Sequence, residues 1–149
     1  PRVATRFSSP QAIADGLAQA DIVIGAVQVS GRHTPRLISR ALLQRMPPGS
    51  VLVDVAIDQG GIAETSRPTT HSAPFFIVEG IVHYCVTNMP GAVARTATDV
   101  LTHATLPYVR ALAAQGLAAL DADAGLHTGL QVHAGKITHA GLAQDLGIG

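Results

Sequence analysis

The chain has 149 residues, ten basic against ten acidic side chains, seven histidines and no tryptophan, with 47% hydrophobic but only 3% aromatic residues. That length fits one domain of ordinary size, and the composition fits a globular protein with a core of Ala, Val, Leu and Ile. Zero net charge with one lysine, Lys136, gives no footprint for nucleic acid or an anionic membrane, and no apolar run approaches the roughly 20 residues that span a bilayer. The lone Cys85 permits no internal disulfide, so the cytoplasm is the default setting. The N-terminus, Pro-Arg-Val-Ala-Thr-Arg-Phe, has neither an initiator Met nor an apolar signal core, and reads as if cut from a longer protein.

Residues 3–7 are compatible with a short strand, and Ser9-Pro10 then opens a helix whose buried face carries Ile13 and Leu17. The run Ile22 to Val27 has the continuous apolar character of a central parallel strand. Thr34-Pro35 predicts a second helix, with Leu37, Ile38, Ala41, Leu42 and Met46 on one stripe, ended by Pro47-Pro48-Gly49. A further β-branched run, Val51 to Ile57, stops at Asp58-Gln59-Gly60-Gly61. Strand, helix, strand, helix, strand with short connections predicts an α/β fold built on a parallel sheet with helices on both faces. Residues 75–78 and 83–86 are expected to complete the sheet edge. The texture then changes. A helix is expected from Thr96 to Gln115, with Val100, Leu101, Val109 and Leu112 buried and a kink at Pro107. A hairpin across Ala134-Gly135 and a last helix capped by Thr138, bearing Leu142 and Leu146, follow. The boundary falls near 92–96, dividing 1–94 from 95–149.

In a doubly wound sheet, ligands bind beyond the carboxyl ends of the strands, so the segments Gln28-Val29-Ser30-Gly31, Asp58-Gln59-Gly60-Gly61 and Thr87-Asn88-Met89-Pro90-Gly91 are the candidates. Asp58 stands out, because a carboxylate beside paired glycines can orient an ammonium group or share in proton transfer, although turn-forming aspartates are the commoner case. Asp54 lies within a strand, where it must accept hydrogen bonds and is read as structural. Arg67 offers bidentate donors to an anion, against the more frequent role of a solvated loop arginine. The histidines lack metal-ligand spacing; His83 and His103 are read as satisfied structural residues, and His33, His71, His127, His133 and His139 as loop residues. Cys85 reads as a small buried hydrophobe. Neither G-x-G-x-x-G nor G-x-x-x-x-G-K-[ST] occurs, so the phosphate-cradling turn of a dinucleotide site is missing.

Longer stretches carry more. Ala20-Asp21-Ile22-Val23-Ile24-Gly25-Ala26-Val27, Val53-Asp54-Val55-Ala56-Ile57-Asp58-Gln59-Gly60-Gly61, Glu64-Thr65-Ser66-Arg67-Pro68-Thr69-Thr70-His71, His83-Tyr84-Cys85-Val86, Asn88-Met89-Pro90-Gly91-Ala92-Val93 and Ala104-Thr105-Leu106-Pro107-Tyr108-Val109 together closely resemble the bacterial alanine dehydrogenase family. The match is collinear from about residue 5 to the end. The related proton-translocating transhydrogenase subunit is a weaker match in the Asp-Gln-Gly-Gly segment.

The resemblance implies reversible oxidative deamination of L-alanine to pyruvate and ammonia with NAD, by a homo-oligomer, usually a hexamer. It implies that Asp58 is catalytic, handling the substrate amine or the attacking water. Ser8 matches a residue near the adenosine end of NAD, Val27 and Gln28 the adenine-side strand end, and Val55, Ala56, Ile57 and Asp58 the nicotinamide half. Arg67 matches a cofactor-contacting arginine, and Val86, Thr87, Asn88 and Met89 the loop closing over the nicotinamide. The Lys and His that bind pyruvate, and the glycine-rich turn, belong to an N-terminal region beyond these motifs. Gln115 stands where some relatives place a metal-binding His, so no metal is predicted; Ala94 and Ile62 replace a frequent Pro and Cys. The resulting expectation is half of a Rossmann-like NAD domain (1–94) followed by a C-terminal helical segment packing on a substrate domain (95–149), inactive alone. Two alternatives stay open: a non-catalytic, self-associating remnant, and the NAD(H)-binding subunit of a transhydrogenase.

Overall fold

A computed structural model describes residues 3–148; Pro1, Arg2 and Gly149, the ends of the sequence, lie outside the described residues. The described chain divides into two compact units, one of residues 3–29 with His33–Met89, the other of Ser30–Arg32 with 90–148.

The first unit is an α/β layer. Helix α1 (Pro10–Leu17) starts as its sequence predicts: Ser9 accepts a hydrogen bond from the Ala12 amide at 3.1 Å, and Pro10 occupies the first turn, where no amide donor is needed. Strand β1 (Ile22–Gly25) follows, then α2 (Arg40–Leu43), β2 (Val51–Asp54), β3 (Phe75–Val78) and β4 (Ile81–Tyr84). The sheet order is β1-β2-β4-β3, with β1, β2 and β4 parallel and β3 antiparallel to β4. Strands β3 and β4 form a hairpin whose two-residue turn, Glu79-Gly80, has φ of 54° and 77°. That pairing matches a type I′ turn, whose twist suits adjoining strands.

Burial alternates along the strands. Leu52 and Asp54 of β2, with Ile81 and His83 of β4, face the helices, where Leu17, Ile38, Leu43 and Met46 complete the core. The opposite face presents Ile22, Ile24, Phe75 and Ile77, each more than half exposed. Within this chain the helices of the first unit therefore cover one face of the sheet.

Several elements differ from the sequence reading. Residues 3–9 form no strand, and Phe7 is 94% exposed; an extended segment becomes a strand only when another pairs with it. Helix α2 begins at Arg40, capped by Ser39, rather than at Thr34, because Ile38 pairs with Ala63 in a parallel bridge that holds the preceding residues extended. The runs 22–27 and 51–57 end as strands at Gly25 and Asp54.

The second unit contains α3 (Ala94–Gln115), α4 (Ala119–Ala122), α5 (Ala124–Thr128), the hairpin β5 (Val132–His133) and β6 (Lys136–Ile137), and α6 (Ala140–Asp145). Helix α3 starts two residues before Thr96, has no side-chain cap and runs through Pro107. Val100, Leu101, Val109 and Leu112, expected to be buried, are 64%, 64%, 56% and 38% exposed. They form an apolar stripe that the other described residues of this unit leave exposed. The β5–β6 turn falls on Ala134-Gly135 as expected. His139, not Thr138, caps α6: its Nδ1 accepts from the Leu142 amide at 3.1 Å. Arg32 pairs with Asp145 at 2.9 Å. Among the described residues no helix is long and apolar enough to cross a membrane.

Candidate functional site

Because β1 and β2 are parallel and in register, with Gly25 beside Asp54, their carboxyl ends lie side by side. The chain leaving β1 supplies Ala26, Val27 and Gln28, and that leaving β2 supplies Val55, Ala56, Asp58 and Gln59; together they line a cleft of about 290 Å³. Val55–Gln59 is a single 3-10 turn, which explains why an apolar run stops being a strand. The Gly60 and Gly61 amides bond back to the carbonyls of Ile57 and Ala56, both at 3.1 Å. Gly60, at φ 104°, ends the turn in a conformation that glycine adopts without strain. Asp58 is thereby displayed, exposed, at the cleft's edge. Buried Thr34 braces the two walls, its amide donating to the Gln59 carbonyl at 2.8 Å and its hydroxyl to the Val27 carbonyl at 3.3 Å.

The end of β4 is held separately. The Thr69 amide donates to the Cys85 carbonyl, and the Thr87 amide to that of Thr69, so Val86 is buried in a bridge with Thr69. Beyond it Asn88 takes a φ of 56°, and its carbonyl accepts from His71 Nε2 at 3.0 Å.

Behind these loops lies a buried polar cluster. Asp54, fully buried, accepts at Oδ2 from the Ile62 amide (2.8 Å) and the Ser66 hydroxyl (2.6 Å). Asp54 is therefore satisfied by a neighbouring turn, as its strand position requires. His83 is fully buried too: Nδ1 lies 2.9 Å from the Ile81 carbonyl and Nε2 lies 2.8 Å from Thr65 Oγ1. A carbonyl only accepts, so Nδ1 carries the proton and Nε2 of the neutral ring accepts from threonine. Burial pushes the His83 pKa down, against the opposing effects of the Ile81 bond and the Asp54 charge. The Cys85 thiol is pushed up, first by burial and then by Asp54.

Of the residues singled out from the sequence, Val27, Gln28, Val55, Ala56 and Asp58 meet in the one cleft. Ile57 does not, its side chain being buried in the core. Arg67, Val86, Thr87, Asn88 and Met89 lie outside the lining, and so does Ser8, which is exposed ahead of α1. Arg67 is exposed, with its guanidinium carbon 4.0 Å above the centre of the Phe76 ring. His127 and His133 stand in α5 and β5 rather than in loops, and His103 is exposed on α3 rather than enclosed. The roles of Thr34 and Ser66 were missed: a threonine before proline and a serine within a polar loop carry no local signal of partners 25 and 12 residues away.

The cleft combines apolar and polar groups of the kind that line small-molecule sites. Val27, Val55 and Ala56 give apolar walls for a ring, and Gln28 and Asp58 give polar groups at its rim.

Known proteins are similar to this chain in sequence and fold. A family model described as alanine dehydrogenase/PNT, C-terminal domain, matches residues 1–140. An alanine dehydrogenase of Halomonas elongata is 54% identical over 99% of this chain and 40% of its own length, and one of Mycolicibacterium smegmatis is 49% identical over 97% and 39%. The chain thus spans about two fifths of the length of these curated relatives. Among solved structures, an L-alanine dehydrogenase superposes with a TM-score of 0.73 at 49% identity, over 94% of this chain and 39% of that one. A transhydrogenase from Sinorhizobium meliloti superposes at 0.65 with 26% identity, over 91% and 36%.

Proposed function

The chain belongs to the alanine dehydrogenase/PNT family through the C-terminal domain, and we propose that the protein containing it is an NAD-dependent alanine dehydrogenase, in which this chain supplies one wall of the cofactor site and the catalytic aspartate. What carries the reading is the placement of Asp58, exposed at the edge of the one cleft that also gathers Val27, Gln28, Val55 and Ala56.

NAD, held against Val27, Val55 and Ala56, would supply the hydride acceptor for oxidation of alanine at Cα. This chain's part is to position and to handle protons. Val55 and Ala56 offer the nicotinamide ring an apolar seat that excludes water, and Gln28 can hydrogen-bond a ribose hydroxyl. The Asp58 carboxylate would hold the substrate ammonium and take one proton from it as the hydride leaves Cα; water then adds to the iminium carbon, its proton passing to nitrogen, so that ammonia leaves and pyruvate keeps the water oxygen. Arg67 can meet a cofactor phosphate, and the segment Val86–Met89 can close the nicotinamide side. The remaining substrate contacts belong to the rest of the protein, and activity requires it. L-Alanine and pyruvate are the proposed substrate and product, and a homo-oligomer the proposed assembly.

The transhydrogenase reading is disfavoured by identity, 26% against 49% for the alanine dehydrogenase structure. The deciding experiment follows NADH formation at 340 nm by the full-length protein with L-alanine and NAD, against the same mixture without amino acid. Alanine-dependent NADH formation is expected. Its absence, together with hydride exchange between NADH and an oxidised NADP analogue, would replace the proposal with the transhydrogenase one.

A further inference from the structure

We propose that Asp54 is the positioning residue of this cleft: its buried carboxyl group ties the turn that carries Asp58 and the segment that carries Arg67 to the same strand end. Asp54 is the last residue of β2, and the 3-10 turn Val55–Gln59 begins directly after it. Its Oδ2 accepts from the amide of Ile62 at 2.8 Å, just past the two glycines that end the turn, and from the hydroxyl of Ser66 at 2.6 Å, one residue before Arg67. A single oxygen thus closes two loops, on partners eight and twelve residues further along the chain.

The fit around that oxygen leaves no slack. A Cβ added to Gly61 would lie 2.8 Å from Oδ2 and 2.9 Å from the Ser66 Cβ, at a φ of 77° that side chains rarely adopt. Backbone therefore passes directly against the carboxyl group. The other oxygen, Oδ1, is buried and has no hydrogen-bond partner among the described residues. Leaving a buried polar atom unpaired costs stability, so the core alone does not account for this group. What the carboxyl group contributes, and an apolar side chain cannot, is an acceptor on which two donors from separate segments converge.

The kinetic part of the test rests on the roles proposed above for Asp58 and Arg67, whereas the exchange part does not. In the full-length protein, D54A, D54N and S66A are compared with wild type by amide hydrogen exchange of peptides covering 55–67 and by steady-state kinetics with L-alanine and NAD. Asparagine keeps a carbonyl oxygen that can accept both donors, and alanine keeps none. D54A is expected to speed exchange in these peptides and lower kcat by about tenfold or more each, since small misplacements of a reacting group are costly. D54N should recover most of both, and S66A should show a smaller change in the same direction. Unchanged exchange in D54A, faster exchange with unaltered kcat, or D54N as impaired as D54A would overturn the proposal. If D54A does not fold, S66A decides: wild-type exchange and kinetics in that variant overturn it. A wild-type protein that forms no NADH from alanine refutes the functional reading instead, and exchange still decides the clamp.

Discussion

His83 and Phe76 face each other directly across the β3–β4 hairpin, and their rings stack with centroids 4.8 Å apart and planes inclined by 21°. The guanidinium of Arg67 lies on the same phenyl ring, 4.0 Å from its centre. Thr65, two residues before Arg67, bonds to the imidazole. One aromatic pair therefore fixes the 65–67 loop from beneath, while Asp54 holds it at Ser66.

That arrangement makes stability depend on pH. Burial lowers the folded pKa of His83 below its ordinary value of 6.5, so the unfolded chain binds the proton more readily. The stabilisation is whole above pH 6.5 and is lost as pH falls from there through the lower folded value, with a slope of at most about 1.4 kcal/mol per pH unit from this group. Urea unfolding of wild type and H83Q at pH 7.5, 6.5 and 5.5 checks this. The difference between the two proteins should shrink as pH falls. A difference that is constant across the series would show that the ring does not titrate as described.

Cys85 is fully buried, and both burial and the Asp54 charge raise its pKa. Reaction needs the thiolate and access to it. Ellman's reagent at pH 8 should modify the native thiol at least about 100-fold more slowly than the thiol in guanidinium chloride, because the native site must first open. Comparable rates in the two conditions would mean that the thiol is accessible.

Strand positions were legible in the sequence where apolar runs met glycine or aspartate, as at Ile22 and Val51, but the ends of those strands were not. Val55, Ala56 and Ile57 continue the apolar run, and the bonds from Gly60 and Gly61 back to Ile57 and Ala56 turn them into a 3-10 turn. The start of α2 was displaced by a pairing between Ile38 and Ala63 that lies 25 residues away in the chain and leaves no periodic trace. Asp58 was legible from the paired glycines after it. The donors to Asp54 were not, since Ile62 and Ser66 reach it through loop geometry alone. The stripe on α3 was read correctly as apolar and wrongly as buried, because periodicity reports a face and not what covers it.

If Asp58 holds and deprotonates the substrate amine, D58N in the full-length protein should lower kcat by about 10²- to 10⁴-fold, the usual worth of a positioned acid or base. NAD affinity, measured by calorimetry, should change little, because the apolar walls at Val27, Val55 and Ala56 remain. A variant that keeps wild-type kcat would remove Asp58 from the chemistry. One that loses NAD binding and turnover together would assign it to the cofactor.

Gly25 ends β1 against the side chain of Ile62: an added Cβ would lie 2.1 Å from its Cδ1 and 2.6 Å from its Cγ1. Ile62 is 4% exposed and packs in the core, so it has little room to retreat. G25A should therefore destabilise by about 1–3 kcal/mol through overpacking. I62A should cost about 2–5 kcal/mol by leaving a cavity. The alanine methyl at position 25 points into that cavity, so the double variant should be more stable than the sum of the two changes by about 1 kcal/mol or more. Urea unfolding of the four proteins measures this coupling. Simple additivity would show that the two side chains do not meet, and contact with Ile62 would then no longer be the reason β1 ends in glycine.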